Sequence, residues 1–97
     1  MNVGEIFWVE FPGRAGRSQA GRRPAIVVQK ASILPTVLLI PLTTQQDALR
    51  FSGTVLVEPD ANNRLRLPSV GLVFQLTATD RTFIKEKLGI ISNDEDR

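Results

Sequence analysis

The run QAGRRPAIVVQ (19–29) sets two arginines before a proline at the mouth of an apolar, β-branched stretch. Arginine keeps its charge at any working pH, and its planar fork matches phosphate oxygens. Arg23 abuts Pro24, so it has the better-fixed backbone of the pair, and rigid placement is what clamping a developing charge requires. A second candidate is PLTTQQ (41–46). Thr43 and Thr44 present hydroxyls there, while Gln45 and Gln46 present amides able to pair with base edges. Hydroxyl donors beside an arginine suit a phosphorane whose negative charge lies on its oxygens. Each feature also has a plain rival: an ordinary surface arginine, and threonines that merely end a strand.

The chain has no histidine and no cysteine. The commonest general base, a disulfide framework, a zinc ribbon and a thiol nucleophile are excluded together. RNA supplies part of what is missing, because its 2′-hydroxyl is a built-in nucleophile. The protein then has to align that oxygen with the leaving 5′-oxygen and stabilise developing charge. The carboxylates Glu5, Glu10, Asp47, Glu58, Asp60, Asp80, Glu86 and the tail acids form no spaced pair, which argues against a two-metal nuclease. Glu5 and Glu10 fall on opposite faces of their strand, because an odd separation reverses direction. No P-loop, GxSxG or zinc motif is present.

Ninety-seven residues make one domain, 1–97, of 42% hydrophobic composition, with five Phe and one Trp as its aromatics. A core of Val, Ile and Leu is expected, and so small a domain gains stability by dimerising. Net charge is +2, and without residues 94–97 it becomes +4. Arg14, Arg17, Arg22 and Arg23 crowd into ten residues. That cluster suits a polyanionic partner, and on charge alone it suits a solvated loop equally. No run of about 18 apolar residues occurs, and the N-terminus lacks signal-peptide features, so a soluble, cytoplasmic protein without a membrane partner is expected.

Alternation and composition place the candidates on strands and loops. GEIFWVEF (4–11) alternates, with Phe7, Val9 and Phe11 on one face. Residues 12–24 read as a long loop, 25–29 as a buried strand and 37–42 as a third strand, with Pro41 at an edge or bulge. A loop over 43–53 precedes a strand over 54–59. A turn follows at 60–68, with Asn62 and Asn63 suited to left-handed geometry. Residues 69–76 read as a fifth strand, in which Gly71 hints at a bulge or sharp bend. TDRTFIKEKL suggests a short helical turn capped by Thr79 or Asp80, and 88–91 a last strand. Five or six short strands without a long amphipathic helix point to a small, mainly β, antiparallel barrel. In the tail, SNDEDR, Ser92 and Glu95 have capping-box spacing, yet the chain ends two residues later. The expectation is a fold without its C-terminal helix: either that helix has been cut away or lost, or the tail is simply frayed.

These stretches together resemble the MazF/PemK toxins of bacterial toxin–antitoxin systems. The resemblance is carried by GEIFWVEF, SQAGRRPAIVVQ, IPLTTQ, VFQL followed by TD, and KLG, in family order over nearly the whole chain. It implies an SH3-like barrel forming a homodimer, and a sequence-specific endoribonuclease (an mRNA interferase) that needs no metal or cofactor. Such enzymes cut single-stranded RNA to a cyclic phosphate and a 5′-hydroxyl. A cognate antitoxin segment folds over the RNA groove. The resemblance places the catalytic arginine at Arg23 and the catalytic threonine at Thr43. Around them Ser18, Gln19, Arg22, Thr44, Gln45 and Gln75 are candidate RNA contacts. Ser18 stands where several relatives carry a glutamate, which leaves the proton acceptor unassigned. Phe51 and Trp8 have faces on which a base could stack, but the pattern assigns both to the core.

Two other functions fit the same fold. A non-catalytic poison of the CcdB type would bind gyrase and be indifferent to Arg23→Ala. A nucleic-acid-binding barrel would show salt-sensitive RNA affinity without turnover.

Overall fold

A computed structural model describes residues 1–11, 21–30 and 33–91 of the chain. Seven strands form one antiparallel sheet: β1 (Glu5–Phe11), β2 (Gly21–Lys30), β3 (Thr36–Thr43), β4 (Thr54–Val57), β5 (Ser69–Leu72), β6 (Thr77–Asp80) and β7 (Ile84–Ile90). The pairing path runs β4-β5-β3-β2-β1-β7, with β6 added to β3. Helical structure among the described residues is confined to short 3₁₀ turns, Gln46–Arg50, Val73–Gln75 and Arg81–Phe83. The mainly β antiparallel expectation holds, and the tail residues 92–97 lie outside the described residues.

The central strands carry core on both faces. Val9, Ala25, Val27, Val37 and Leu39 are fully buried in one cluster, with Phe7 and Phe11 packed against it. Ile6, Leu42 and Leu65 form the second, backed by Ile26, Val57 and Leu88. Alternate residues of a strand face opposite ways, so β1 sends Val9 to one cluster and Ile6 to the other. The sheet is thereby packed on both sides.

Several expectations change. β2 begins at Gly21, so the two arginines lie within a strand, paired with Val9 and Glu10 of β1. Pro41 is buried in an interior strand and pairs with Ala25. On the other side of β3 the partner changes from β6, at residues 36–39, to β5, at 42–43. Pro41 occupies that changeover, where a missing N–H interrupts neither ladder. Gly71 makes no bulge; it pairs regularly with Leu42 and Val55. A Cβ there would come within 2.9 Å of Val55 Cγ1, so glycine permits a close strand approach.

The strand expected over 69–76 stops at Leu72 and turns through Val73–Gln75. The helical turn expected over TDRTFIKEKL is limited to Arg81–Phe83, capped by the Asp80 carboxylate accepting from Thr82 N–H. The rest is β6 and β7. β7 pairs along β1 with two register shifts, and this tertiary pairing overrides the local capping signal. In the turn at 60–68, the left-handed residue is Arg64 (φ 60°) rather than either asparagine. Asn63 is instead buried and organises the turn. Its Oδ1 accepts from Asp60 N–H (3.1 Å) and Leu65 N–H (2.9 Å), and its Nδ2 donates to Glu58 O (2.8 Å).

Candidate active site

The β2–β3 register brings the two sequence candidates together. Ala25 pairs with Pro41, Ile26 with Ile40 and Val27 with Leu39. Arg23 and Thr43 each lie two residues beyond the Ala25–Pro41 pair, at the same end of the ladder. On β2, Arg23 shares a face with buried Ala25 and Val27, so its stem runs over the end of the core and it is half-buried. Thr43 also pairs with Val70 of β5, which fixes the strand end from the other side. Thr43 Oγ1 accepts from Gln45 N–H at 3.2 Å, a local turn that bends the chain away after the strand.

Arg23 and Thr43 open on a groove of about 660 Å³. Its walls also include Arg22, Thr44, Gln45, Ser69 and Gln75, with Phe51, Phe74, Ala48 and Leu72 as apolar surface. None of the described lining residues is a carboxylate. The 44–46 wall is tied down by Gln46 Nε2, which donates to Pro68 O at 2.9 Å. Of the expected RNA contacts, Arg22, Thr44, Gln45 and Gln75 border this groove, whereas Ser18 and Gln19 lie outside the described residues.

The two arginines have different employment. Arg22 Nη2 donates to Glu86 Oε2 at 2.6 Å, Nη1 lies 3.7 Å from Glu10 Oε2, and Cζ stands 5.3 Å from the Trp8 ring centroid. The Glu86 carboxyl is held below its ordinary pKa, first by its own backbone N–H and then by Arg22. Arg22 thus works largely against protein carboxylates, a partner that sequence spacing could not reveal because it comes from β7.

Trp8 is half-buried beneath Arg22 rather than part of the core clusters. Phe51 is also out of the core, at 53% exposure. Sequence reasoning missed Phe74 and Ser69 as site residues. Phe74 was hidden because VGLVFQL reads as one continuous strand. The only available signal for it was its place beside Gln75. Among the described residues no group of three or more acidic, histidine or cysteine side chains gathers as a metal site would require. Among the described residues no helix is long and apolar enough to cross a membrane.

The site is thus an arginine and a threonine bordering one groove of an antiparallel β fold. The model of the PemK-like, MazF-like toxin of type II toxin–antitoxin systems matches residues 2–96, and the chain belongs to that family. Among its relatives are endoribonuclease MazF2 of Mycobacterium bovis and endoribonuclease MazF6 of Mycobacterium tuberculosis. Each is 29% identical over 89 residues, covering 88% of this chain and 77% of the relative. A crystal structure of MazE-MazF (Form-II) from Deinococcus radiodurans superposes with a TM-score of 0.68 at 25% identity. The match covers 95% of this chain and 81% of that one.

Proposed function

We propose that this endoribonuclease toxin cuts single-stranded RNA at short sequences by 2′-hydroxyl transesterification, without a metal. The observation that carries the reading is that Arg23 and Thr43, just beyond one end of the β2–β3 ladder, border one groove whose described lining residues include no carboxylate. In the reaction the 2′-oxygen bonds to phosphorus as the bond to the 5′-oxygen breaks. The 2′-hydroxyl gives up one proton, and the departing 5′-oxygen takes one up. The products are a 2′,3′-cyclic phosphate and a 5′-hydroxyl, and no water is consumed. Arg23 stabilises the negative charge that collects on the non-bridging oxygens, and Thr43 donates its hydroxyl to one of them. Such a site needs positioning and fixed charge more than a titrating side chain, which fits a chain without histidine. Arg22, Thr44, Gln45 and Gln75 border the path of the flanking nucleotides, and Ser18 and Gln19 belong to the same contact set.

The structural neighbour MazE-MazF supports control of this chain by an antitoxin, whose segment competes with RNA for the groove. The active unit is a homodimer in the cytoplasm, where its RNA substrate lies.

The test is incubation with a long single-stranded RNA in excess EDTA, with cut sites and end chemistry mapped. Discrete cuts bearing cyclic phosphate and 5′-hydroxyl ends are expected. Intact RNA with folded protein, or cleavage only when a divalent ion is restored, overturns the metal-free mechanism.

A further inference from the structure

Phe51 and Phe74, two of the five phenylalanines, stand on the outer wall of the groove rather than in the core. They are 53% and 54% exposed, with ring centroids 6.4 Å apart and planes tilted by 54°. The pair is held in place by its backbone. Phe51 N–H donates to Ala48 O at 3.1 Å, Phe51 O accepts from the Thr54 hydroxyl at 2.9 Å, and Phe74 N–H donates to Gly53 O at 3.1 Å. Gly53 has φ +76°, and a Cβ there would come to 3.1 Å of Phe74 Cβ. Glycine therefore lets the two turns close on each other and fixes the rings side by side. The Arg50 guanidinium carbon lies 5.3 Å from the Phe51 ring centroid, adding positive charge to the aromatic wall.

We propose that Phe51 and Phe74 form a stacking subsite for one unpaired nucleobase next to the scissile phosphate, and so contribute to the choice of cut site. This rests on the RNA-cleaving reading above. A flat apolar ring surface beside fixed cations suits a ligand that is itself a flat ring joined to phosphates. The wall is continuous with Arg23 and Thr43 in one groove, so a strand held at the reacting phosphate runs directly onto the rings. Gln45 and Gln75, in the same walls, offer amides to the edge of the stacked base. Arg50 faces the adjoining phosphate.

Leucine preserves apolar bulk but cannot stack, whereas tyrosine can, so the test pairs Phe→Leu and Phe→Tyr at both positions. Folding is checked by circular dichroism and oligomeric state by sedimentation. One readout is steady-state cleavage of long single-stranded RNA with cut-site mapping. The other is fluorescence of uncleavable 2′-O-methyl oligonucleotides carrying a single 2-aminopurine stepped along them.

The leucine variants are expected to raise KM about tenfold, with kcat changing far less, and to loosen base preference at one position. Tyrosine restores both. Wild-type protein quenches 2-aminopurine at one step, and the leucine variants do not. Leucine variants indistinguishable from wild type overturn the subsite, as do tyrosine variants as defective as leucine. A loss explained by altered oligomeric state also overturns it and assigns the wall to a second copy of the chain. If wild-type protein cuts no RNA yet quenches at one step, the subsite stands and the cleavage reading falls. Absence of quenching at every step overturns the subsite whatever the cleavage result.

Discussion

Arg22 of β2 meets Glu86 of β7 at 2.6 Å, whereas its neighbour Arg23 turns to the opposite face of the same strand, the face of buried Ala25 and Val27, although both border the groove. Two adjacent arginines of identical chemistry are thereby separated in role by strand alternation alone. The difference is measurable. Arg23→Ala is expected to lower kcat on single-stranded RNA on the order of 100-fold or more, the usual cost of removing a donor aimed at developing charge. Arg23→Lys keeps the charge but loses the fork, and recovers only part of that loss. Arg22→Ala should change kcat by no more than about threefold, since its guanidinium is engaged by Glu86 and Glu10, and its effect should fall on KM, because it borders the same groove. Single-turnover cleavage of all three variants checks the ordering. Equal defects at the two positions would refute this division of roles.

Thr43 offers a cleaner subtraction. Thr43→Val keeps the β-branched shape and removes the hydroxyl that would meet a phosphate oxygen and that now accepts from Gln45 N–H. A roughly tenfold fall in kcat is expected, the scale of about one hydrogen bond made in the transition state. Thr43→Ser should recover most of it. If valine cleaves as fast as threonine, the hydroxyl has no part in the reaction.

Acid sensitivity follows from three carboxylates. Lys87 and the Asn2 N–H hold the Glu5 carboxyl below its ordinary pKa, the backbone and hydroxyl of Thr82 do the same for Asp80, and Glu86 is lowered as described. A carboxylate whose pKa is depressed by folding stabilises fully above its unfolded value and loses that contribution as pH falls through the folded one. The melting temperature should therefore be nearly flat from about pH 6 to pH 8, where a histidine-free chain has little to titrate. It should then fall as pH drops from about 4.5 through the depressed values. Glu5→Gln should flatten part of that acid limb. A melting temperature that rises on acidification would contradict the assignment.

The legible and illegible parts of the chain divide along physical lines. β1 and β4 could be read because their alternation is local and matches a half-buried pleat, and β3 because VLLIPL is a short continuous apolar run. Arg23 and Thr43 were picked out by the RRP and TTQ motifs and by the family resemblance, and the structure has both bordering one groove. β7 was read partly as a helical turn, since Asp80 does cap a turn and Lys85, Glu86 and Lys87 follow it with helix-like polarity. Only pairing to β1, more than seventy residues away, decides otherwise. The engagement of Arg22 with Glu86 spans 64 residues and the Phe51–Phe74 pair joins two separate turns, so neither leaves a trace in local spacing. Asn63 misled for a different reason. Its type fits a left-handed turn residue, yet the fold uses its side chain as a buried connector.

Asn63 and Gly89 make the stability prediction that depends most on atomic detail. Gly89 of β7 is buried, and a Cβ there would drive into the backbone carbonyl of Asn63 and lie 2.6 Å from that of Asn62. Ile90 N–H also donates to Asn62 O at 3.0 Å, so the turn is stitched to β7 at this point. Both obstructing atoms are main chain and cannot swing aside as a side-chain tip would. Gly89→Ala must therefore push β7 off the turn that Asn63 organises, and is expected to cost several kcal/mol, on the order of 3 or more. Asn63→Ala removes the acceptor of two backbone N–H groups and the donor to Glu58 O, and is expected to cost about 2–3 kcal/mol. The two changes act on one contact, so the double variant should lose less than the sum of the singles. Urea unfolding of the four proteins measures all of this, and strict additivity would show that turn and strand are not coupled.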